Sequence, residues 1–456
     1  MNLPNHFIAD LPSEATLSPA MITEACQTLK RNREHYLAQR TTHDLVLLLV
    51  EIARRWLQPD NRFRRLALTA GPAETGFSRA TLAKGLDNFF RQFSQENLQA
   101  LLIQDLGNAA GDVPQNRVIS RHLSPVTRHF WNGPELLVHI AAGNIPNPAL
   151  MSIVLGLLTQ SAQFVKCARG SAFLPRLFAH SLYDAAPKLG ACLEIAEWRG
   201  GNAELETALF AEADCVTATG SDEALTAIRS RLPVHVPFLG YGHRVSFGFV
   251  TREVLTGHHL RQVAARAADD VAAWNQLGCL SPHVIYVQSR GETLPERFAE
   301  LLAGELEQRE QAEPRGELAV EHAAAIASRR GFYEVRAAHS PDTQMWHSKN
   351  STAWTVVFEA DPRFQMSCLN RFVYVKGVKD LPDLLQNAEA LRGKVSTVGL
   401  AAPEDRMEEL AVQLARWGVT RVCPLGQMQN PPLTWRHDGR PALGDLVAWA
   451  DYEMQK

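Results

Sequence analysis

The chain has 456 residues, enough for two or three domains that each bury a core without help from metals or disulfides. With 46% apolar and 21% charged residues and a formal net charge of −3, it reads as an ordinary soluble protein with no basic surface for nucleic acid. The seven cysteines (Cys26, Cys167, Cys192, Cys215, Cys279, Cys368 and Cys423) are odd in number and contain no C-x-x-C pair. That argues against a disulfide framework or a metal site and for a reducing compartment. "MNLPNHFIADLPSEATL" has no basic region followed by an apolar one, so no secretory signal is expected and the cytoplasm is the expected location. The most apolar stretch, "NPALMSIVLGLLTQSAQFVK", is broken by Ser152, Thr159, Gln160 and Ser161, which predicts a buried helix and no membrane span.

Residues 1 to about 130 read as mostly helical, with apolar residues at helical spacing in "HDLVLLLVEIARRWL" and "RATLAKGLDNFFRQF". From "PELLVHIAAGNIP" onward, short apolar runs alternate with helical patterns. "LLVHIAA", "QFVKCA" and "DCVTATG" predict strands, while "PALMSIVLGLLTQ", "PRLFAHSLYDAAPKL" and "SDEALTAIRSRL" predict helices. Such alternation implies βαβ units and a largely parallel sheet, hence an α/β fold. A long helix, "HLRQVAARAADDVAAW", then precedes Cys279. After it, "HVIYVQ", "WTVVFEA", "RFVYVKGV", "VSTVGLAA" and "VTRVCPL" predict the strands of a second α/β unit, with the helix "RMEELAVQLARWG" before the last. The richest loop chemistry lies in "SPDTQMWHSKNST" and "QMQNPPLTWRHDGRP".

Cys279 stands behind Gly278 at a helix-to-strand junction. A thiol there can be exposed and close to backbone N–H groups, which favour a thiolate and a nearby oxyanion. A free cysteine is also at home as a small buried hydrophobe. In "HIAAGNIPNPAL", the amide of Asn144 can donate to an oxyanion or simply cap the turn. "TATGSDEAL" puts Gly220 and Ser221 where a helix N-terminus could receive phosphate. Asp222 and Glu223 would repel a diphosphate, however, and Ser221 suits an ordinary N-cap. "GYGHRVSFG" lacks the dinucleotide spacing of glycines. His258 and His259 are expected at the surface. Trp274, Trp346 and Trp354 could line a substrate channel or pack in the core.

Taken in order, these pieces resemble the aldehyde dehydrogenase superfamily, and within it the LuxC-type acyl-CoA reductases, the fatty-acid reductases of bacterial luminescence. Asn144-Ile145-Pro146 matches the Asn-x-Pro motif at a strand end, and "KCAR" (Lys166 to Arg169) aligns with Lys-Pro-Ser-Glu. Thr219-Gly220-Ser221 matches the Thr-Gly-Ser turn, and "NQLGCLSPH" echoes Gly-Gln-x-Cys. "STVGLAAPEDRMEELAVQLARWGVTRVCPLG" follows the late βαβ pattern, and "PPLTWRHDGRP" is typical of the LuxC-like branch. The resemblance spans roughly residues 40 to 450.

It implies a doubly wound cofactor domain with its helical N-terminal region at 1–245 and an α/β catalytic domain at 246–428. A C-terminal segment, 429–456, would pack back on the body or on an oligomer partner. It implies an oxidoreductase in which Cys279 attacks an acyl-CoA thioester and expels CoA, with Asn144 and the Cys279 N–H as oxyanion hole. Hydride from a nicotinamide would then release a fatty aldehyde. Lys166 would contact the adenosine ribose, and Gly220 and Ser221 the pyrophosphate. Where hydrolytic relatives carry a general-base Glu, this chain has Leu239 and Gly240, which favours transfer to and from CoA over acid production. Arg169 replaces the Glu that would hold a ribose 2′-hydroxyl, which favours NADPH over NADH. The Glu-x-Phe-Gly-Pro motif is not recognisable around "FEADPRFQMSCLN"; Glu359 is a possible substitute for its Glu or an exposed strand-end residue. A homo-oligomer is expected, with no metal, nucleic acid or membrane partner. The acyl group could instead arrive from a partner acyl-protein synthetase or carrier protein. A scaffold that binds acyl groups without turnover is the non-catalytic reading.

Overall fold

The computed structural model describes residues 3–12, 14–107, 127–291 and 293–453. The N-terminal region packs the helices Pro19–Asn32, Thr42–Trp56, Arg62–Thr69, Arg79–Phe90 and Gln95–Leu106. Each begins on a side-chain cap: Ser18, Thr41, Asn61, Ser78 and Ser94 all accept a backbone N–H from the first turn. A cap of this kind contributes about 1 kcal/mol, so the helix starts are written into the local sequence.

Strand β1 (Thr127–Asn132) is followed by five parallel strands: β2 (Leu136–Ile140), β3 (Ala162–Cys167), β4 (Leu193–Glu197), β5 (Cys215–Thr219) and β6 (Phe238–Tyr241). Their order is β4-β3-β2-β5-β6, so the chain winds outward one way from β2 and then returns to wind the other way. The point of reversal lies between β2 and β5, and open α/β sheets bind ligands beyond the carboxyl ends of such strands. Burial on both faces explains the near-continuous apolar runs. The exceptions pair with one another: His139 Nδ1 lies 2.6 Å from Thr217 Oγ1 and its Nε2 3.1 Å from Gln163 Oε1. Burial pushes the His139 imidazole down to about 4, so this core histidine is neutral.

The second sheet contains β7 (Val245–Val250), β8 (Pro282–Gln288), β9 (Thr343–His347), β10 (Thr355–Glu359), β11 (Phe372–Val378), β12 (Val395–Ala401) and β13 (Arg421–Pro424). Its order is β13-β12-β7-β8-β11-β10-β9, parallel except for β9. Strand β14 (Ala448–Glu453) is exposed and pairs antiparallel with β1 in a separate two-stranded sheet, whose Trp131 is buried in the N-terminal core. Before it, Leu433 and Leu443 enter the N-terminal core, and Asp105 accepts the Leu443 N–H at 2.8 Å. Two long helices, Leu294–Ala312 and Val320–His339, and the strand β4 were not singled out in the sequence. Among the described residues no helix is long and apolar enough to cross a membrane, and no three His, Cys, Asp or Glu side chains could hold a metal.

The two halves interlock through Trp274, which is buried against Phe77 with ring centroids 5.2 Å apart. Its indole lies directly on Gly85 of the helix Arg79–Phe90, where an added Cβ would sit 2.1 Å from Cζ2. In an ordinary helix interior Gly→Ala gains about 1 kcal/mol. Gly85→Ala is expected to do the opposite, losing about 1–3 kcal/mol by overpacking. A melting curve equal to or above wild type would refute this packing.

Candidate active site

A cavity of about 930 Å³ opens between the carboxyl ends of the first sheet and the amino ends of the second. Asn144, Gly220, Ser221 and Cys279 all line it, from three separate stretches of chain that the fold brings together. Lys166 and Arg169 do not line it. Lys166 is buried in β3, its ammonium 5.7 Å from the Trp198 ring centroid, and Arg169 is exposed in the turn beyond. Desolvation depresses the Lys166 ammonium, with Glu206 and Glu197 opposing.

Cys279 is half-buried in the turn that leads into β8 and owes its position to an unusual backbone. Trp274, Asn275 and Gln276 have φ of 48°, 53° and 64°, three consecutive non-glycine residues in the left-handed region. Each costs about 1–2 kcal/mol, so the run persists only because its side chains are pinned. Asn275 Nδ2 donates to the Arg315 carbonyl at 2.8 Å. Gln276 Nε2 donates to the carbonyls of Pro282 and Phe372 at 2.8 and 2.9 Å. Asn144 Nδ2 donates to the Leu277 carbonyl at 2.7 Å, and Ser246 Oγ donates to the Cys279 carbonyl at 2.7 Å. Gln429 donates to Ser281. The loop is therefore anchored on both sides of the sulfur.

Burial pushes the Cys279 thiol up to about 11, and the nearby Asp438 carboxylate pushes in the same direction. The backbone N–H groups of Cys279 and Leu280 and the Arg244 guanidinium offset part of this. Asp438 lies in the left-handed region (φ 53°) within "RHDGR" and pairs with Arg244 at 3.4 Å. The thiolate fraction therefore rises tenfold per pH unit across the neutral range. Alkylation of Cys279 by iodoacetamide should climb from pH 7 to 9 without a plateau; a plateau near pH 7 would contradict this electrostatics. Asp438→Asn removes the anion while suiting the left-handed backbone. It should speed alkylation at pH 7 several-fold, and an unchanged or slower rate would exclude Asp438 as a control on the thiol.

Ser221 is the N-cap of the helix Asp222–Arg229, accepting the Ala224 N–H at 3.2 Å, and it faces the cavity as well. Glu359 departs from both readings of the sequence. It is 4% exposed, accepts from Tyr333 Oη at 3.2 Å, pairs with Arg336 at 2.8 Å and lies 3.7 Å from Lys376. The reason is register. Glu359 ends β10 beside Lys376, which pairs with Tyr286, four residues beyond the start of β8 at Pro282 and seven beyond Cys279. At about 3.3 Å per residue this places Glu359 far down the sheet from the cavity. Trp274 and Trp354 are core residues, Trp346 packs partly buried beside Trp354, and His258 and His259 are exposed.

Sequence reasoning missed Arg244, His283, Ser367 and Gln276. Arg244, His283 and Ser367 line the cavity, Gln276 is buried beneath it, and Asp438 sits beside the thiol. The only local signal was the loop "RHDGR"; the others depend on strand register.

A doubly wound domain facing an α/β domain that presents a cysteine at their common crevice defines the aldehyde dehydrogenase fold. An NAD-dependent benzaldehyde dehydrogenase from Corynebacterium glutamicum superposes with a TM-score of 0.71 at 13% identity, over 97% of this chain and 91% of that one. The chain belongs to the family described as acyl-CoA reductase (LuxC), whose model matches residues 37–449. It is thus an enzyme of the acylating aldehyde dehydrogenase class. Relatives include the long-chain acyl-protein thioester reductase of Aliivibrio fischeri, 25% identical over 69% of this chain and 63% of its own length. Long-chain acyl-protein thioester reductase 2 of Photobacterium leiognathi is 23% identical over 94% of this chain and 85% of its own.

Proposed function

We propose that this chain reduces a long-chain acyl thioester to the aldehyde, using Cys279 as the acyl-carrying nucleophile. The observation that carries this reading is the meeting of Cys279 and Asn144 at one cavity wall, across the 2.7 Å hydrogen bond from Asn144 to Leu277. The Cys279 thiolate attacks the thioester carbonyl carbon, the bond to the carrier sulfur breaks, and the carrier leaves as its thiol after taking up a proton. Asn144 keeps a second amide N–H for the oxyanion, beside the Cys279 N–H.

The residues fit a nicotinamide dinucleotide. The crevice lies at the switch point, Gly220 presents no side chain, and Ser221 opens a helix. When bound, that group supplies the hydride that reduces the acyl-enzyme. Glu197, the carboxylate nearest the Arg169 turn, is committed to the N–H groups of Gly170 and Ala172 at 2.7 and 3.1 Å. This leaves the exposed Arg169 to bind a 2′-phosphate and favours NADPH. Leu239 and Gly240 lie in β6, where a water-activating base would be expected, so hydrolysis is disfavoured. The relatives' names give the acyl carrier as a protein and the family description gives CoA. A protein carrier, loaded by an acyl-protein synthetase, is the reading the relatives favour.

Intact-protein mass spectrometry tests this with a long-chain acyl-CoA and an acylated carrier protein in parallel. A single acyl adduct should form without nucleotide, persist for minutes, and vanish with NADPH as aldehyde appears. Cys279→Ala should form none; no adduct on the wild-type chain from either donor would end this reading. Arg169→Glu should raise KM for NADPH about tenfold or more while leaving NADH unaffected, in keeping with loss of a forked phosphate contact. Equal effects on both nucleotides would remove the preference.

A further inference from the structure

His283 lies four residues after Cys279 and lines the same cavity. Ser246 pairs with Pro282 and Phe247 with Val284, so His283 is an extra residue in β8, a bulge. Bulges beside active sites re-aim a side chain that the regular pleat would point elsewhere. The ring is then fixed by one residue. The Ser367 N–H donates to His283 Nδ1 at 3.1 Å, and Ser367 Oγ lies 3.0 Å from the same nitrogen. Ser367 Oγ already accepts from the Leu369 N–H at 3.2 Å and from Gln276 Nε2 at 3.4 Å, so its own proton is directed to Nδ1. Nδ1 thus faces two donors and must carry its lone pair, which puts the ring proton on Nε2. Among the described residues Nε2 has no hydrogen-bond partner, although the ring is 5% exposed and forms part of the cavity wall.

We infer that His283 is a further catalytic residue, its neutral Nε2–H donating a hydrogen bond to the thioester oxygen as it becomes an oxyanion on Cys279. Burial and the neighbouring His243 push the imidazole down to about 4, so the donor stays neutral across the working range. No proton is transferred: a ring whose Nδ1 is held as acceptor cannot serve as a base at that nitrogen, and its Nε2–H is far too weak an acid to be given up. The role is one of fixed electrostatic stabilisation, where each such donor is worth about 10²–10³ in rate. Ser367 acts through His283 and is a positioning residue. It lies in "FEADPRFQMSCLN", the stretch in which the superfamily's Glu-containing motif is missing.

The inference rests on the proposed acylation of Cys279, and the test separates the two. Single-turnover acylation by palmitoyl-CoA, without nucleotide, should slow about 100-fold in His283→Phe and His283→Met and within about tenfold in His283→Gln, which keeps a donor. Alkylation of Cys279 by iodoacetamide needs the same thiolate but forms no oxyanion, so it should match wild type in all three. Should the Phe variant fail to fold, the flexible Met side chain fills the same space and decides the matter. Acylation at the wild-type rate in His283→Met would overturn the role. Parallel losses in alkylation and acylation would do so too, because they would mean that the ring merely holds the loop. Acylated carrier protein replaces palmitoyl-CoA if it is the better donor, and if the wild-type chain is acylated by neither, the proposed function falls and this inference with it.

Discussion

The amide of Gln276 is the interaction on which the site depends. A helix that runs to Ala272 must deliver a sulfur to the amino end of β8 only a few residues later, which the right-handed backbone cannot do. The chain uses three left-handed residues for the reversal, and Gln276, fully buried, joins that turn to the Pro282 and Phe372 carbonyls. Phe372 follows a second left-handed run, Leu369–Arg371, with φ of 58°, 55° and 65°. Two strained segments thus brace each other across one side chain. Strain of this kind persists only where the surroundings over-determine it. Here they do: Arg371 is fully buried, pairs with Glu310 at 2.8 Å and donates to the Glu313 carbonyl at 2.9 Å. The second run supplies Leu369 and Asn370 to the cavity wall, and Ser367, just before it, holds His283. One buried amide therefore links the Cys279 loop to the loop that orients the His283 imidazole.

Around this frame the polar interior is kept neutral or locally paired. His139 and His283 are both uncharged, each held by donors or acceptors that specify its tautomer. Asp270, at the end of the helix leading to the Cys279 loop, accepts the Gly426 and Met428 N–H groups at 2.5 and 2.9 Å, and burial pushes it up to about 7. For the histidines the unfolded chain binds more protons as pH falls below about 6.5, so their contribution to stability is lost on acidification. For Asp270 the sign is opposite, because its folded form holds a proton that the unfolded form has released; its contribution fades as pH rises toward 7. The two act over much the same range below neutrality and oppose each other there.

The parallel sheets were legible because fully buried strands read as unbroken apolar runs: "LLVHI", "QFVKC" and "HVIYVQ" fall inside β2, β3 and β8. The helix starts were legible because caps are local chemistry. The chain positions of Cys279, Asn144 and Gly220-Ser221 followed from turn residues between those elements. What could not be read was anything set by which strand lies beside which. Glu359 stood out as a possible substitute for the Glu of the missing Glu-x-Phe-Gly-Pro motif, yet strand order and register put it at the far end of the sheet. His283 looked like part of a strand, and only the mismatch between 246–247 and 282–284 shows it to be a bulge. Asp438 is more than 150 residues from Cys279 in sequence, and its influence on the thiol comes from tertiary proximity alone.

The electrostatics of the crevice also bear on the order of events. A thiol raised to about 11, with no carboxylate positioned in β6 to take its proton, is a reluctant nucleophile toward water-borne electrophiles. That suits a site meant to react with a thioester, whose sulfur leaves readily and whose oxygen can be stabilised by fixed donors. A strongly activated thiolate would react with whatever aldehyde or oxidant entered first. Restraint at the sulfur and preorganisation at the oxygen are complementary. In the proposed reaction the barrier falls for a substrate that places a carbonyl oxygen among the Asn144, Cys279 and His283 donors, which would put selectivity for an acyl thioester on the oxyanion side of the cavity.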